Sequence, residues 1–300
     1  MRQMNEFERR LTDRADRINE KMALFLPEET GYQKTVFQAV NYSIHAGGKR
    51  IRPMIMEAVY EMCGGTDEAA IVPFFTALEM IHTYSLVHDD LPAMDNDEIR
   101  RGKPTTHKKF GEAMGILAGD ALLNFAYETA FQAFDSETDV SRVADALKVL
   151  GRKAGMYGMV GGQVVDVGED GKFVDEEMLL FVYETKTSAL LEAAFMIGGI
   201  LAGASGEEVG LLEQSGRYLG IAFQIQDDIL DRIGDEEKIG KPLHSDERNE
   251  KSTFVSLHGI EASREKVREY TEKSLACLNG TEGEKSFLSE LITWLIDRDK

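Results

Sequence analysis

Asp89-Asp90-Leu91-Pro92-Ala93-Met94-Asp95 and Asp227-Asp228-Ile229-Leu230-Asp231 are two dense groups of carboxylates, 138 positions apart, each following a strongly apolar stretch. Acids packed this closely repel one another and lose hydration against apolar neighbours, so a positive charge has to stand among them. Hard oxygen donors suit Mg²⁺, with Mn²⁺ as the alternative, rather than zinc. Mg²⁺ held by carboxylates points in turn to a phosphorylated substrate. The plain alternative is a solvated acidic surface. With 21 Asp in 300 residues, an Asp-Asp-x-x-Asp string arises by chance about 0.1 times, and two acidic clusters, each after an apolar helical pattern, argue against that alternative.

Positions i and i+4 of a helix share a face about 6 Å apart, so Asp227 and Asp231 point the same way with Asp228 beside them. Pro92 disfavours helix at Leu91. Asp89-Asp90 should therefore end a helix, and Asp95 should return from the following turn. Carboxylates at a helix C-terminus oppose the helix dipole, which a bound cation relieves.

A metal–phosphate ligand also needs cations where the metal is not. Gly47-Gly48-Lys49-Arg50-Ile51-Arg52-Pro53 places three cations beside a glycine pair just before an expected helix start, where backbone N–H groups favour anions as well. The spacing of a Walker phosphate loop is absent. Arg100-Arg101-Gly102-Lys103-Pro104 follows the first acidic cluster and could reach the same phosphate. Lys186 lies in an otherwise apolar helix, where an unpaired ammonium is costly. Lys241 and Lys251 follow the second cluster.

Helical periodicity supplies the elements that must position these groups. Ala69–His88 carries Ile71, Phe74, Phe75, Leu78, Ile81 and Leu86 at the spacing of a buried helix. Ala113–Phe134, Val140–Val160, Glu176–Ala204 and Glu207–Ile233 read the same way. Shorter helices are expected over 3–26, 34–46, 53–63, 246–258, 260–278 and 284–297. Strand signals are scarce, and no linker or internal repeat appears. The loop Gly168–Asp175 is the best break, but it reads as an interhelical excursion, so one all-α domain spanning 1–300 is expected.

Apolar content of 43% with 29% charged residues is ordinary for a globular chain. A formal net charge of −19 argues against nucleic acid or an anionic membrane surface as the main partner. Cys63 and Cys277 are the only cysteines. They cannot build a disulfide framework, and a reducing cytoplasm is the simplest setting. The N-terminal residues are densely charged, unlike a signal peptide. The longest uncharged apolar stretch, Ala193–Ser205, is shorter than the roughly 20 residues of a membrane span.

Together these residues resemble the trans-isoprenyl diphosphate synthases, most closely the bacterial farnesyl diphosphate synthases. The resemblance runs through Gly47–Pro53, Glu79–Asp90, Arg100–Thr106, Lys186-Thr187, Phe223–Asp228, Gly240-Lys241 and Lys251–Thr253. It implies an all-α helical bundle of the isoprenoid synthase kind with a central active-site cavity, and a homodimer. It implies that Asp89, Asp90, Asp95, Asp227, Asp228 and Asp231 bind Mg²⁺, three ions per site, on an allylic diphosphate. Lys49, Arg52, His82 and Arg101 would take isopentenyl diphosphate. Arg100, Lys186, Thr187, Gln224, Lys241 and Lys251 would take the allylic substrate. The carbonyls of Lys186 and Thr187 and the Gln224 side chain would face the allylic cation. Without the resemblance, His82 would read as a packed core residue. Gly162-Gln163-Val164-Val165-Asp166 resembles a family motif with a supporting role. Ile296–Lys300 resembles a basic tail over the isopentenyl site, although two acids interrupt it.

Tyr84 sits five residues before Asp89, about 7.5 Å up the helix axis, with the small Ser85 beside it. A ring there would cap the cavity near a C15 product, whereas simple packing in the core is the alternative. In the family, a small residue or Met at this position goes with longer products. The expected activity is (2E,6E)-farnesyl diphosphate synthesis, with geranylgeranyl diphosphate synthesis next. A class I terpene cyclase would not need Lys49, Arg52 and Arg101, because it handles one substrate. A non-catalytic partner subunit would typically lose one acidic cluster, and both are present.

Overall fold

A computed structural model describes residues 5–168, 174–233 and 252–297. Lys241, Lys251 and the tail from Arg298 lie outside the described residues. The elements are α1 (Glu6–Ala23), α2 (Lys34–Ile44), α3 (Ile51–Met62), α4 (Glu68–Asp89), β1 (Ile99–Arg100), β2 (Lys103–Pro104), α5 (Thr106–Phe110), α6 (Glu112–Phe131), α7 (Val140–Ala154), α8 (Met159–Gly168), α9 (Glu176–Val182), α10 (Ala189–Ala202), α11 (Gly206–Ile233), α12 (Phe254–His258), α13 (Ile260–Asn279) and α14 (Ser286–Ile296). The fold is all-α, with one two-residue hairpin among the described residues. The chain forms two compact units, residues 1–57 with 67–140 and residues 58–66 with 141–300, passing between them first within α3.

In the first unit α4 is apolar on most faces, and Phe74, Phe75, Leu78, Met80 and Ile81 are wholly buried. Each such side chain contributes about 1.5–3 kcal/mol of burial. Gly115, Ala118, Gly119, Ala126 and Ala130 form the buried stripe of α6, and their small size lets it pack closely on α4. Asp67 caps α4 by accepting from the Ala69 amide at 3.0 Å. The helix stops at Asp89 with Asp90 as its C-cap, ahead of Leu91, the residue that Pro92 keeps from helix.

In the second unit the 28-residue α11 packs on α10 and α13. A Cβ at Gly216 would come within 2.8 Å of the Glu192 backbone, so glycine there sets the helix separation.

Two expected helices are broken. Val140–Val160 stops at Ala154, because Gly155 and Gly158 close a tight turn in which the Gly158 amide donates to the Gly155 carbonyl at 3.0 Å. Glu176–Ala204 contains a π-helical turn at Tyr183–Ser188 between α9 and α10, which a pattern of apolar spacing does not distinguish from a regular helix. Over 246–258 the described helix is the single turn α12.

Glu68–Asp89 and the stretch Glu176–Ala202, although neither is free of charged residues, are long and apolar enough to cross a membrane by length and composition. Most of each lies inside the protein, 83% and 67% of the most apolar window. Burial in a protein core accounts for that composition.

Candidate active site

The first unit gathers a group of cations around the start of α3 and the middle of α4. Arg50, at φ 52°, sits in the left-handed region that non-glycine residues seldom adopt. This turn points its guanidinium inward, where it donates to Glu79 Oε1 at 2.7 Å, Asn19 Oδ1 at 2.8 Å and the Ile44 carbonyl at 2.6 Å. Arg50 is therefore used up by the fold, while Lys49 is exposed and Arg52 half-buried. Among the described residues the buried Nε of Arg52 has no acceptor, and such a donor calls for an anion. Glu79 is the carboxylate whose charge also reaches Arg52 and Arg101.

Arg101 reaches the same region from the hairpin. Arg101 and Gly102 both have positive φ, 54° and 72°, as a two-residue hairpin turn requires. The Arg101 guanidinium donates to the Gly47 carbonyl. A Cβ at Gly48 would come within 2.7 Å of it, so glycine at 48 is what lets the two loops approach. Tyr42 from α2 donates to the Pro104 carbonyl at 2.7 Å and holds the hairpin in place. His82, half-buried one turn beyond Glu79, is held well below the ordinary histidine range by burial and by Arg52, Arg101, Arg100 and Arg50.

Arg100 joins this group to the first acidic cluster, donating from Nε to Asp90 Oδ1 at 2.6 Å. Asp90 is buried. Burial pushes its carboxyl up to about 6, against the pull of Arg100 and with added repulsion from Asp97 and Asp89. The Asp95 amide donates to the Asp89 carbonyl at 2.9 Å, so the turn brings Asp95 back beside the helix end. Tyr84 is buried on α4, edge-on to the His88 ring at 5.9 Å, and Ser85 is half-buried.

The second unit arranges the other candidates around the π turn. Lys186 Nζ pairs with Asp166 Oδ2 at 2.6 Å. The Thr187 hydroxyl donates to Gln224 Oε1 at 2.8 Å, and Gln224 Nε2 faces Asp228 Oδ1 at 3.3 Å. Asp228 is buried and accepts at Oδ2 from the Tyr183 hydroxyl and, at 3.1 Å, from the Phe254 amide. Asp227 and Asp231 are half-buried, one turn apart on α11.

Among the described residues no three carboxylates, imidazoles or thiols converge into a ready-made metal cage. The donor set, oxygen from aspartate, fits Mg²⁺.

Sequence alone did not single out Glu79 or Tyr183, and it counted Arg50 among the three cations facing an anion, whereas Glu79, Asn19 and the Ile44 carbonyl hold it. Glu79 carried a signal, as an acid inside the apolar run from Ala69 to His88. The inward turn of Arg50 carried none, because it depends on a backbone angle.

A family model described as polyprenyl synthetase matches residues 33–291. A farnesyl diphosphate synthase of Bacillus subtilis is 40% identical over 289 residues, covering 96% of this chain and 97% of the relative. A geranylgeranyl diphosphate synthase of Cyanophora paradoxa is 43% identical over 255 residues, covering 84% and 83%. The crystal structure of a geranylgeranyl pyrophosphate synthetase from Pyrococcus horikoshii matches with a TM-score of 0.86 at 32% identity, covering 98% of each chain. The chain belongs to the polyprenyl synthetase family.

Proposed function

We propose that the chain condenses isopentenyl diphosphate with dimethylallyl or geranyl diphosphate and releases (2E,6E)-farnesyl diphosphate. One observation carries this reading. Within the first unit an anion-seeking group, centred on an Arg52 Nε with no acceptor among the described residues, adjoins an acidic cluster through the Arg100–Asp90 contact. A one-substrate cyclase would need the acids without the cations.

In this reading Lys49, Arg52, His82 and Arg101 bind isopentenyl diphosphate. Arg100, Lys186, Lys241 and Lys251 bind the allylic diphosphate. Asp89, Asp90, Asp95, Asp227 and Asp231 hold the Mg²⁺ ions, and the buried Asp228, which accepts from the Tyr183 hydroxyl and the Phe254 amide, positions the second cluster. When bound, Mg²⁺ neutralises the leaving diphosphate and draws electrons from the allylic C1–O bond. The Lys186 and Thr187 carbonyls lie on a π turn, where the backbone is wider than in a regular helix. They and Gln224 stabilise the allylic cation by fixed dipoles. Thr187 holds Gln224 in one orientation. The isopentenyl double bond attacks C1 and a proton leaves C2, taken by the departing diphosphate. In this reading residues 1–300 are one catalytic domain.

Tyr84 supports the C15 product, because a buried ring on α4 limits the room for a longer chain. Geranylgeranyl diphosphate is the second reading, favoured by relatives of similar identity that bear that name.

The test is a two-substrate requirement. Radiolabelled isopentenyl diphosphate should enter an extractable prenyl product only when an allylic diphosphate and Mg²⁺ are both present. Consumption of geranyl or farnesyl diphosphate alone, giving a hydrocarbon, would replace this reading with a cyclase.

A further inference from the structure

Gly220, Gln224 and Asp228 are spaced i, i+4, i+8 on α11 and form one stripe. Each meets the π turn. A Cβ at Gly220 would collide with the Ser188 side chain, Gln224 accepts from Thr187, and Asp228 accepts from Tyr183. Asp227 and Asp231 lie on the neighbouring stripe, about 100° around the helix. The first stripe therefore docks α11, and its grip sets the rotation of the second.

The last contact of that grip is a three-centre arrangement. The buried Tyr183 hydroxyl donates to Asp228 Oδ2, and the Phe254 amide donates to both, at 3.1 Å each. Three segments, the π turn, the end of α11 and the start of α12, are joined at this one oxygen. A buried phenol and a buried carboxylate each need such partners.

We propose that Tyr183 is a positioning residue that acts through Asp228, fixing the rotation of the Asp227–Asp231 face and the phase of the Lys186–Thr187 carbonyls. The inference rests on the reading that this face holds divalent metal.

The test is Tyr183→Phe, which removes one hydroxyl. Mn²⁺ binding is followed by the electron paramagnetic resonance of the free ion, with inorganic diphosphate present. Outer partners of metal ligands typically tune affinity 10- to 100-fold. Mn²⁺ affinity and kcat should each fall about tenfold in the variant, while KM for isopentenyl diphosphate stays within about twofold. A ligand that favours the closed arrangement stabilises it, so in the wild-type protein Mn²⁺ with diphosphate should slow hydrogen exchange at the Phe254 amide. That measurement needs no variant to fold. Unchanged Mn²⁺ affinity in Tyr183→Phe, or unchanged Phe254 exchange, overturns the proposal. Wild-type Mn²⁺ binding in Asp227→Ala would instead overturn the metal reading beneath it.

Discussion

Lys186 Nζ stands 2.6 Å from Asp166 Oδ2, so the ammonium proposed to meet an allylic diphosphate is already held by a carboxylate. Asp166 lies on α8, whose Gly162 packs so closely on the π turn that a Cβ would collide with Thr185 and the Lys186 backbone. The pair keeps Lys186 extended and oriented. Asp166→Asn should weaken that hold and raise KM for the allylic substrate about tenfold, as loss of a supporting partner typically does, with KM for isopentenyl diphosphate unchanged. Steady-state kinetics with each substrate varied in turn checks this.

The acidic clusters should be indispensable to turnover but not to folding. Asp89 and Asp227 are only half-buried. Asp89→Ala and Asp227→Ala should each lower kcat by on the order of 10³, the scale of removing a main electrostatic stabiliser, with circular dichroism spectra like the wild type. Near-wild-type rates in either would remove the metal site from the account.

Arg50 and Glu79 form a buried ion pair at 2.7 Å, with side chains only 4% and 3% exposed. Removing one partner strands the other charge. Arg50→Ala or Glu79→Ala should each destabilise the protein by about 3–5 kcal/mol. Joint replacement by Met and Leu should cost less than the sum of the single changes. Urea denaturation of the three variants tests the pair as a unit.

These residues also show what was legible in advance. Helix positions and both acidic clusters could be read because apolar spacing and charge are carried by residue type. The turn returning Asp95 to Asp89 was legible from Pro92. The inward turn of Arg50 was not, because it follows from a positive φ that its residue type disfavours. Nor was the π turn, since one extra residue per turn barely alters an apolar pattern. Tyr183 became visible only once that turn placed its hydroxyl on Asp228.

His82 gives the pH dependence a definite sign. Burial and four arginines depress its folded-state value well below 6.5. The unfolded chain therefore binds a proton more readily than the folded one below about pH 6.5. Its stabilising contribution is full above that pH and is lost as pH falls, by up to about 1.4 kcal/mol per unit. His82→Asn should flatten the acid side of the stability profile between about pH 6.5 and 5. An unchanged slope in urea melts across that window would mean that His82 is not the group responsible.

The most direct measurement is the length of the product. Purified protein is incubated with Mg²⁺, isopentenyl diphosphate and dimethylallyl diphosphate, and the dephosphorylated alcohols are sized. The wild-type protein should yield mainly the C15 alcohol. Tyr84→Ala, which removes the buried ring, should shift the distribution to C20 or longer. A mainly C20 product from the wild type, or an unchanged C15 product from Tyr84→Ala, would contradict the assignment of Tyr84 as the floor. Absence of any prenyl alcohol would contradict the proposed reaction itself.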